Sequence, residues 1–568
     1  MVFKSIIRIL IFYAITEFVL ATNKNRFKYP LKNGRPIVEL TSGLVVVGTV
    51  NKTSGARITF HAYRGIPFAK PPIGDLRFKA PVALPKNLTG HSIDASQDKS
   101  QCVQLGVPVT GSEDCLYINV YVPMIENTSK LPVMVWIYGG AFISGNSSYS
   151  LYGPDYFLNE NVLFVSFNYR LGAFGFLSTE NEVSPGNYGL KDQILALQWV
   201  QENIEKFGGN NSRVTIFSES AGAASASYLS QTPLTDGLFQ NAIFESGNSI
   251  TLWALARNAK SVAFKIGKFL HLNTTTSQSL IDDLRKVDYR NLAVAQTLGS
   301  VNEALTGNLL NGLPFGPIIE PPHIGAVVTN YSYEQLKNGL FHRIPYLMGI
   351  NSQEGKPFEH DINAIRSYLL QYDLFPTELV PASLNISDIN TKILINFIIK
   401  YYYFEYTPVT VSQQQLTEFI SDDQFNRPII EAALLYSKYS PVYFYKFAYE
   451  GPLGSNHIEV PGVGHADELN YLFKKEQYPG KPIAFDLLTR RRLVRLWTNF
   501  AKTGNPTPSR DPLLQNVTWS LSNADKSCNL RYLNINRSLT NMDNPKWTSF
   551  KFWKKLFKDY GNPPYSTY

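Results

Sequence analysis

A serine hydroxyl attacks a carbonyl only when a base takes its proton, and the base works only when an acid fixes its tautomer. Ser220 lies in the stretch 213–228, RVTIFSESAGAASASY. There, alternating β-branched and aromatic residues, which suit a buried strand, give way to a run of small Ala and Ser. The change of period predicts a strand, a sharp turn with serine at its apex, and a helix pressed close to a sheet. That arrangement is a nucleophile elbow, whose strain lifts Oγ clear of the backbone. Its usual pattern is G-x-S-x-G, and this chain reads Ser218-Glu-Ser-Ala-Gly222. Serine is the smallest polar replacement for the first glycine and can hydrogen-bond locally, so activity is expected to survive it.

An elbow of this kind belongs to the α/β-hydrolase fold, in which the triad follows in the order serine, acid, histidine. The chain has eight histidines. His61 and His91 come too early, and His360 follows the acid segment too closely. His465 lies in Gly462-Val-Gly464-His465-Ala-Asp-Glu, where two glycines permit a tight loop before a helix begins. His457, in a similar loop without those glycines, stays as the alternative base. For the acid, an apolar strand over 344–350 ends in Asn351-Ser-Gln-Glu354-Gly355, and a carboxylate just past a parallel strand's C-terminal end lies where sites form. Glu354 is therefore the choice over Glu359 and Asp361, which lie beyond Pro357. Its role is to orient the imidazole and stabilise its charged form. After a strand over 132–138 comes Gly139-Gly140-Ala141-Phe142, small enough for backbone N–H groups to approach an oxyanion. The N–H of Ala221 is a third donor.

The elements that must position these groups are legible from periodicity. Nearly continuous apolar runs at 132–138 and 162–167 predict strands covered on both faces, and 115–122, 239–244, 344–350 and 441–447 also read as strands. Residues 189–207 carry Leu190, Ile194, Leu197, Val200 and Ile204 on one helical stripe. Strands alternating with helices predict an α/β fold with a large, mostly parallel central sheet, right-handed crossovers and long insertions. Residues 45–50 and 58–60 read as a β-meander, and 487–501 as a helix. The irregular 246–339 and the mostly helical 360–440 supply the pocket walls. Near the end, Trp547, Phe550, Trp553 and Phe557 form an apolar stripe beside Lys551, Lys554, Lys555 and Lys558, which predicts a helix packed on the body rather than on a membrane.

No linker, repeat or charge run divides the 568 residues, so a single domain over 22–568 is expected. Apolar residues make up 44%, ample for one core, and the 13% of aromatics suit a pocket for apolar ligands. The net charge of +8 comes from scattered Lys and Arg, which argues against a nucleic-acid groove. Residues 1–21 carry Lys4 and Arg8, an apolar run and Val19-Leu-Ala21, the pattern of a secretory signal peptide. The run is shorter than the ~20 apolar residues a span needs, and no other segment could cross a bilayer, so no stable membrane anchor is expected. Sequons at Asn51, Asn87, Asn127, Asn146, Asn210, Asn273, Asn330, Asn385, Asn516 and Asn536 agree with a secreted glycoprotein. Cys102 and Cys115 enclose a loop that a disulfide could close. Cys528 is left over, as a buried thiol or an intermolecular link. Oligomeric state leaves no mark in the sequence.

Taken together, GIPFAKPPIGDLRF, SEDCLYINVYVP, VMVWIYGGAFISG, FNYRLGAFGFL, GNYGLKDQILALQWVQENIEKFGGN, VTIFSESAG, GINSQEG, GVGHADELNYLF and LWTNFAKTGNPTP closely resemble the type-B carboxylesterase/cholinesterase family, over essentially all of 35–560. In character the chain is similar to secreted insect-type carboxylesterases. The resemblance implies Ser220 as nucleophile, Glu354 as acid and His465 as base. It also implies Gly140, Ala141 and Ala221 as oxyanion donors, and Glu219 and Ser246 as supports close to the triad. It implies a Cys102–Cys115 disulfide and structural ion pairs of Arg77 with Glu113 and Arg170 with Asp192.

Within the family, cholinesterase-like members carry a tryptophan in the first disulfide loop to hold a cationic substrate. The loop here has none. Neuroligin-like adhesion members have lost the nucleophile, whereas all three triad positions are filled here. Juvenile-hormone esterases resemble GQSAG at the elbow, and here Glu219 stands at the Gln position, which weakens a dedicated hormone role. The expectation is a secreted serine esterase acting through an acyl-enzyme on small to medium apolar esters, with no cofactor and no metal. The alternatives are a catalytically weak adhesion or binding protein and a juvenile-hormone-type esterase.

Overall fold

The apolar runs form strands, and the strands build two sheets. This computed structural model describes residues 31–104, 108–125, 129–306, 311–356, 369–454, 460–523 and 530–568. The leader at 1–21, the sequon at Asn127, His360, His457 and Cys528 lie outside the described residues. In chain order the strands are β1 (Leu31–Lys32), β2 (Arg35–Glu39), β3 (Val45–Val47), β4 (Thr49–Lys52), β5 (Thr59–Pro67), β6 (Ser92–Asp94), β7 (Tyr117–Pro123) and β8 (Leu131–Ile137). They continue with β9 (Leu163–Phe167), β10 (Gly209–Glu219), β11 (Asn241–Glu245), β12 (Tyr346–Asn351), β13 (Val442–Phe447), β14 (Arg531–Ile535) and β15 (Leu539–Asp543).

The larger sheet has eleven strands in the order β15-β14-β13-β12-β11-β10-β8-β9-β7-β5-β4. Its middle, from β9 through β8, β10, β11, β12 and β13 to β14, is parallel throughout. The margins β15 and β7-β5-β4 are antiparallel. This is an α/β fold with a mostly parallel sheet, and every residue of β8, β9, β11 and β12 is buried, as expected when helices cover both faces.

The expected meander over 45–60 is divided. β3 joins a small four-stranded sheet with β1, β2 and β6, while β4 turns to pair with β5 at the edge of the large sheet. Gly48 is the break between them. A Cβ there would lie 2.6 Å from both the Ala62 carbonyl oxygen and the Tyr63 ring, so only glycine lets the chain pass from one sheet to the other.

Helices that bear on the site are α1 (Tyr188–Asn203), α2 (Ala221–Leu229), α3 (Ile389–Phe404), α4 (Gln413–Ile420), α5 (Arg427–Ser437), α6 (Ala484–Thr503) and α7 (Trp547–Tyr560). A π-helical turn, Ser421–Asn426, joins α4 to α5. The predicted stripe of α1 is buried, but so are Lys191, Asp192 and Gln193. The helix is walled in on nearly all sides, so its apolar stripe understates its burial. On α7 the predicted stripe turns inward, with Phe550, Trp553, Leu556 and Phe557 buried.

Candidate active site

β10 and α2 form the expected strand–turn–helix, with Ser220 at the apex. Its backbone sits at φ 56°, ψ −125°, a region a residue with a side chain occupies only when its surroundings force it. Two contacts hold the turn: the Ser220 N–H donates to the Glu245 carbonyl at the end of β11 (2.9 Å), and the Ala224 N–H donates to the Ser220 carbonyl (2.9 Å). Close approach explains the glycines around it. A Cβ on Gly222 would stand 2.1 Å from the Ile137 carbonyl oxygen, and one on Gly247 2.4 Å from the Ser220 carbonyl oxygen. Ser218 is fully buried, and its Oγ donates to the Ile243 carbonyl on the neighbouring strand at 3.0 Å. It is an accommodated, hydrogen-bonded residue rather than an obstruction in the turn.

Elements far apart in sequence meet at Ser220. His465 Nε2 lies 2.8 Å from Ser220 Oγ, and its Nδ1 lies 2.8 Å from Glu354 Oε2. Glu354 is fully buried. Its other oxygen accepts from Ser246 Oγ and from the Asn351 N–H, both at 2.6 Å. These bonds aim the carboxylate at the imidazole. The histidine loop is tied to the end of β12 by the Gln353 N–H to the Val463 carbonyl (2.9 Å) and by Asn351 Nδ2 to the Gly464 carbonyl (2.7 Å). Of the loop's two glycines, only Gly462 adopts a left-handed φ, of 120°; Ala466 does so too, at 66°.

The Gly139–Phe142 loop closes as a turn: the Ile143 and Ser144 N–H groups both donate to the Gly140 carbonyl at 3.0 Å. Gly140 has φ 113°, Ala141 53° and Phe142 60°. A Cβ on Gly140 would lie 2.2 Å from the Ser144 carbonyl oxygen. Among the described residues, the N–H groups of Gly140, Ala141 and Ala221 donate to no backbone carbonyl.

Burial and charge compete at the imidazole. Burial acts to lower its pKa, but the nearby Glu219 charge and the hydrogen bond and charge of Glu354 outweigh it and raise His465 to about 9. Glu219 Oε1 lies 3.1 Å from His465 Nε2, and burial pushes this carboxyl up to about 7. The two titrate together. A proton on Glu219 removes one of the charges that lift the imidazole, and Nε2 can accept a proton only while His465 is neutral.

Several neighbours carry no motif. Phe425, in the π-helical turn, lays its ring 4.6 Å from that of His465, and Trp253 Nε1 donates to the Gln424 carbonyl at 3.0 Å. Only Pro428, breaking the helical hydrogen-bond pattern just after this turn, hints at irregularity in the sequence. Behind the elbow, burial also raises Glu245, to about 8, and Glu468, well above the carboxylate range. Glu245 accepts from Trp497 Nε1 at 2.8 Å, and Glu468 from Asn351 Nδ2. Among the described residues no group of acids, histidines and cysteines could hold a metal ion.

The remaining implied contacts are also present. Cys102 and Cys115 form a disulfide. Arg77 pairs with Glu113 at 2.6 Å and Arg170 with Asp192 at 2.7 Å, all buried or nearly so. None of the nine described sequon asparagines is buried.

The sequence model described as the Carboxylesterase family matches residues 34–553. Juvenile hormone esterase of Tribolium castaneum is 34% identical over 529 residues, covering 86% of this chain and 87% of that protein. Venom carboxylesterase-6 of Apis mellifera is 32% identical, covering 90% and 92%. The crystal structure of juvenile hormone esterase from Manduca sexta, with OTFP covalently attached, superposes with a TM-score of 0.81 at 27% identity, over 92% of this chain and all of that one.

Proposed function

For a chain that belongs to the carboxylesterase family, a family of serine carboxylic ester hydrolases, we propose that Ser220, His465 and Glu354 perform the reaction as a triad. Ser220 Oγ attacks the ester carbonyl while His465 Nε2 takes its proton. The N–H groups of Gly140, Ala141 and Ala221 hold the oxyanion, and such donors are typically worth ~3 kcal/mol each in the transition state. The alcohol leaves with the proton from Nε2. His465 then takes a proton from water, which attacks the acyl-enzyme and releases the acid. Glu354 keeps the imidazole in the tautomer with the proton on Nδ1, and Ser246 keeps Glu354 aimed. The observation that carries this reading is the pair of 2.8 Å contacts made by the two nitrogens of His465.

Titration of the folded protein with an organophosphonate tests it. One adduct per chain, on Ser220, with matching loss of ester hydrolysis, is expected. Folded protein that forms no adduct would overturn the triad and favour a binding role.

Small to medium apolar esters are the substrate class. A second reading, a hormone-type ester, is favoured by the two juvenile hormone esterases among the similar proteins, against the Glu219 that replaces glutamine at the elbow. Rates across esters of graded acyl and alcohol length, with a juvenile-hormone ester among them, separate the two. The protein is read as extracellular, supported by the leader pattern at 1–21, the disulfide and the unburied sequons. Mass spectrometry of protein from the culture medium checks this through the new N-terminus and attached glycans.

A further inference from the structure

The proposed oxyanion donors sit on two pieces of chain. Ala221 heads α2 and is held by the elbow, but Gly140 and Ala141 belong to the loop after β8. That loop runs through left-handed backbone at Gly140, Ala141 and Phe142, and again at Gly145, with φ 115°. A Cβ on Gly145 would lie 2.6 Å from the Tyr138 ring and 2.7 Å from the Gly139 carbonyl oxygen. The loop therefore doubles back, and its end rests against its own beginning. Backbone of this kind keeps its shape only where its surroundings over-determine it.

Contacts from outside the loop supply that constraint. At the tip, the Gly172 N–H donates to the Phe142 carbonyl at 2.7 Å. At the closing end stands Gln104, a buried residue 41 positions before Gly145. Its Oε1 accepts from the Gly145 N–H at 2.8 Å, and its Nε2 donates to the Gly145 carbonyl at 3.1 Å. One side-chain amide thus pairs with both polar groups of one residue, as a neighbouring strand does. Among the described residues no backbone group pairs with either of them. Gln104 is itself fixed. Its N–H donates to the Thr110 carbonyl at 3.3 Å, its Nε2 also reaches the Cys102 carbonyl at 3.3 Å, and the disulfide joins Cys102 to Cys115, just before β7.

We infer that Gln104 is a positioning residue for the oxyanion hole: by holding Gly145 it keeps the Gly140 and Ala141 N–H groups aimed at the ester oxygen. It touches no reacting atom, and the inference rests on Ser220 acting as the nucleophile of the triad. The coupling is short. Ser144, next to Gly145, donates through its N–H to the Gly140 carbonyl at 3.0 Å, so a freed Gly145 pulls on that bond. Acylation and deacylation both pass through an oxyanion, and a loosened hole slows the two alike with KM nearly unchanged.

Steady-state kinetics of the full chain on a soluble ester test this. Gln104→Met, similar in shape but without either hydrogen bond, should lower kcat roughly tenfold to a hundredfold, the scale of an ångström of misplacement, with KM held within about twofold. Inhibition by a trifluoromethyl ketone, whose adduct on serine carries an oxyanion, should weaken by the same factor as kcat/KM falls. The acid limb of the pH–rate profile should stay in place, and organophosphonate should still form one adduct per chain, showing a folded variant with its nucleophile intact. Gln104→Glu keeps the acceptor for the Gly145 N–H and loses the donor, and it should lower kcat in the same way. Gln101→Ala is the comparison, since the Gln101 side chain bonds to those of Asn146 and Thr110, both at 2.9 Å; its kcat should not move. An unchanged kcat in both Gln104 variants overturns the inference, as does a loss that appears as a raised KM or is matched by Gln101→Ala. An unaltered chain that forms no adduct overturns the triad and this inference with it, whereas an active chain indifferent to Gln104 overturns the inference alone.

Discussion

Glu219 sits 3.1 Å from the imidazole nitrogen that accepts a proton in the proposed reaction. With Glu354 on the other nitrogen, its charge raises His465 above an ordinary imidazole. Replacing Glu219 by Gln keeps the shape and removes the charge, so His465 should stay neutral to lower pH. The acid limb of kcat/KM should move downward in pH, read from a pH–rate profile on a soluble ester; a limb that stays or moves up would refute the electrostatic account. At Ser218, loss of the bond to the Ile243 carbonyl in Ser218→Gly should cost about 1 kcal/mol of stability, measured by denaturant midpoint, with turnover little changed. A gain of about tenfold, some 1.4 kcal/mol of barrier, would mean that the native elbow is impaired. At this scale the sequence was informative where a residue type has few uses: Ser220, His465 and Glu354 stood out by chemistry and chain order. Phe425 did not, because a ring packed at a tilt against the imidazole looks in sequence like any buried phenylalanine.

Among elements, the turn between β10 and α2 depends on how closely α2 can approach β8. Gly222 has no unusual φ; its constraint is steric, since a Cβ would lie 2.1 Å from the Ile137 carbonyl oxygen and 2.8 Å from that of Tyr138. Gly222→Ala should therefore cost roughly 2 kcal/mol or more and lower turnover sharply by displacing Ser220 and the Ala221 N–H. Chemical denaturation with single-turnover kinetics checks both. Parallel strands were easy to read because burial on both faces makes their sequences continuously apolar. The split at Gly48 and the π-helical turn at Ser421–Asn426 were not, since both arise from what the neighbouring chain leaves room for.

At the scale of the molecule, Arg77 joins segments remote in sequence. Its guanidinium forks onto Glu113 at 2.7 and 2.6 Å and donates to the carbonyls of Leu284 (2.8 Å) and Val287 (2.7 Å). It thereby ties the loop of 71–78 to the disulfide loop and to the chain after 284. Removing one partner of a buried pair strands the other, so Arg77→Gln should cost roughly 3–5 kcal/mol, seen as a lowered melting temperature and faster thermal inactivation. The sequence by itself determined the fold class, the ester-hydrolase family and the chain order of the proposed triad, because residue type, hydrophobic period and turn-forming glycines are local properties. Tertiary structure alone decided which groups meet. His465 reaches Ser220 across 245 residues and Glu354 across 111, and Glu219 is set against the imidazole by the turn at Ser220. Each depends on distances through space between segments whose separation along the chain carries no such information.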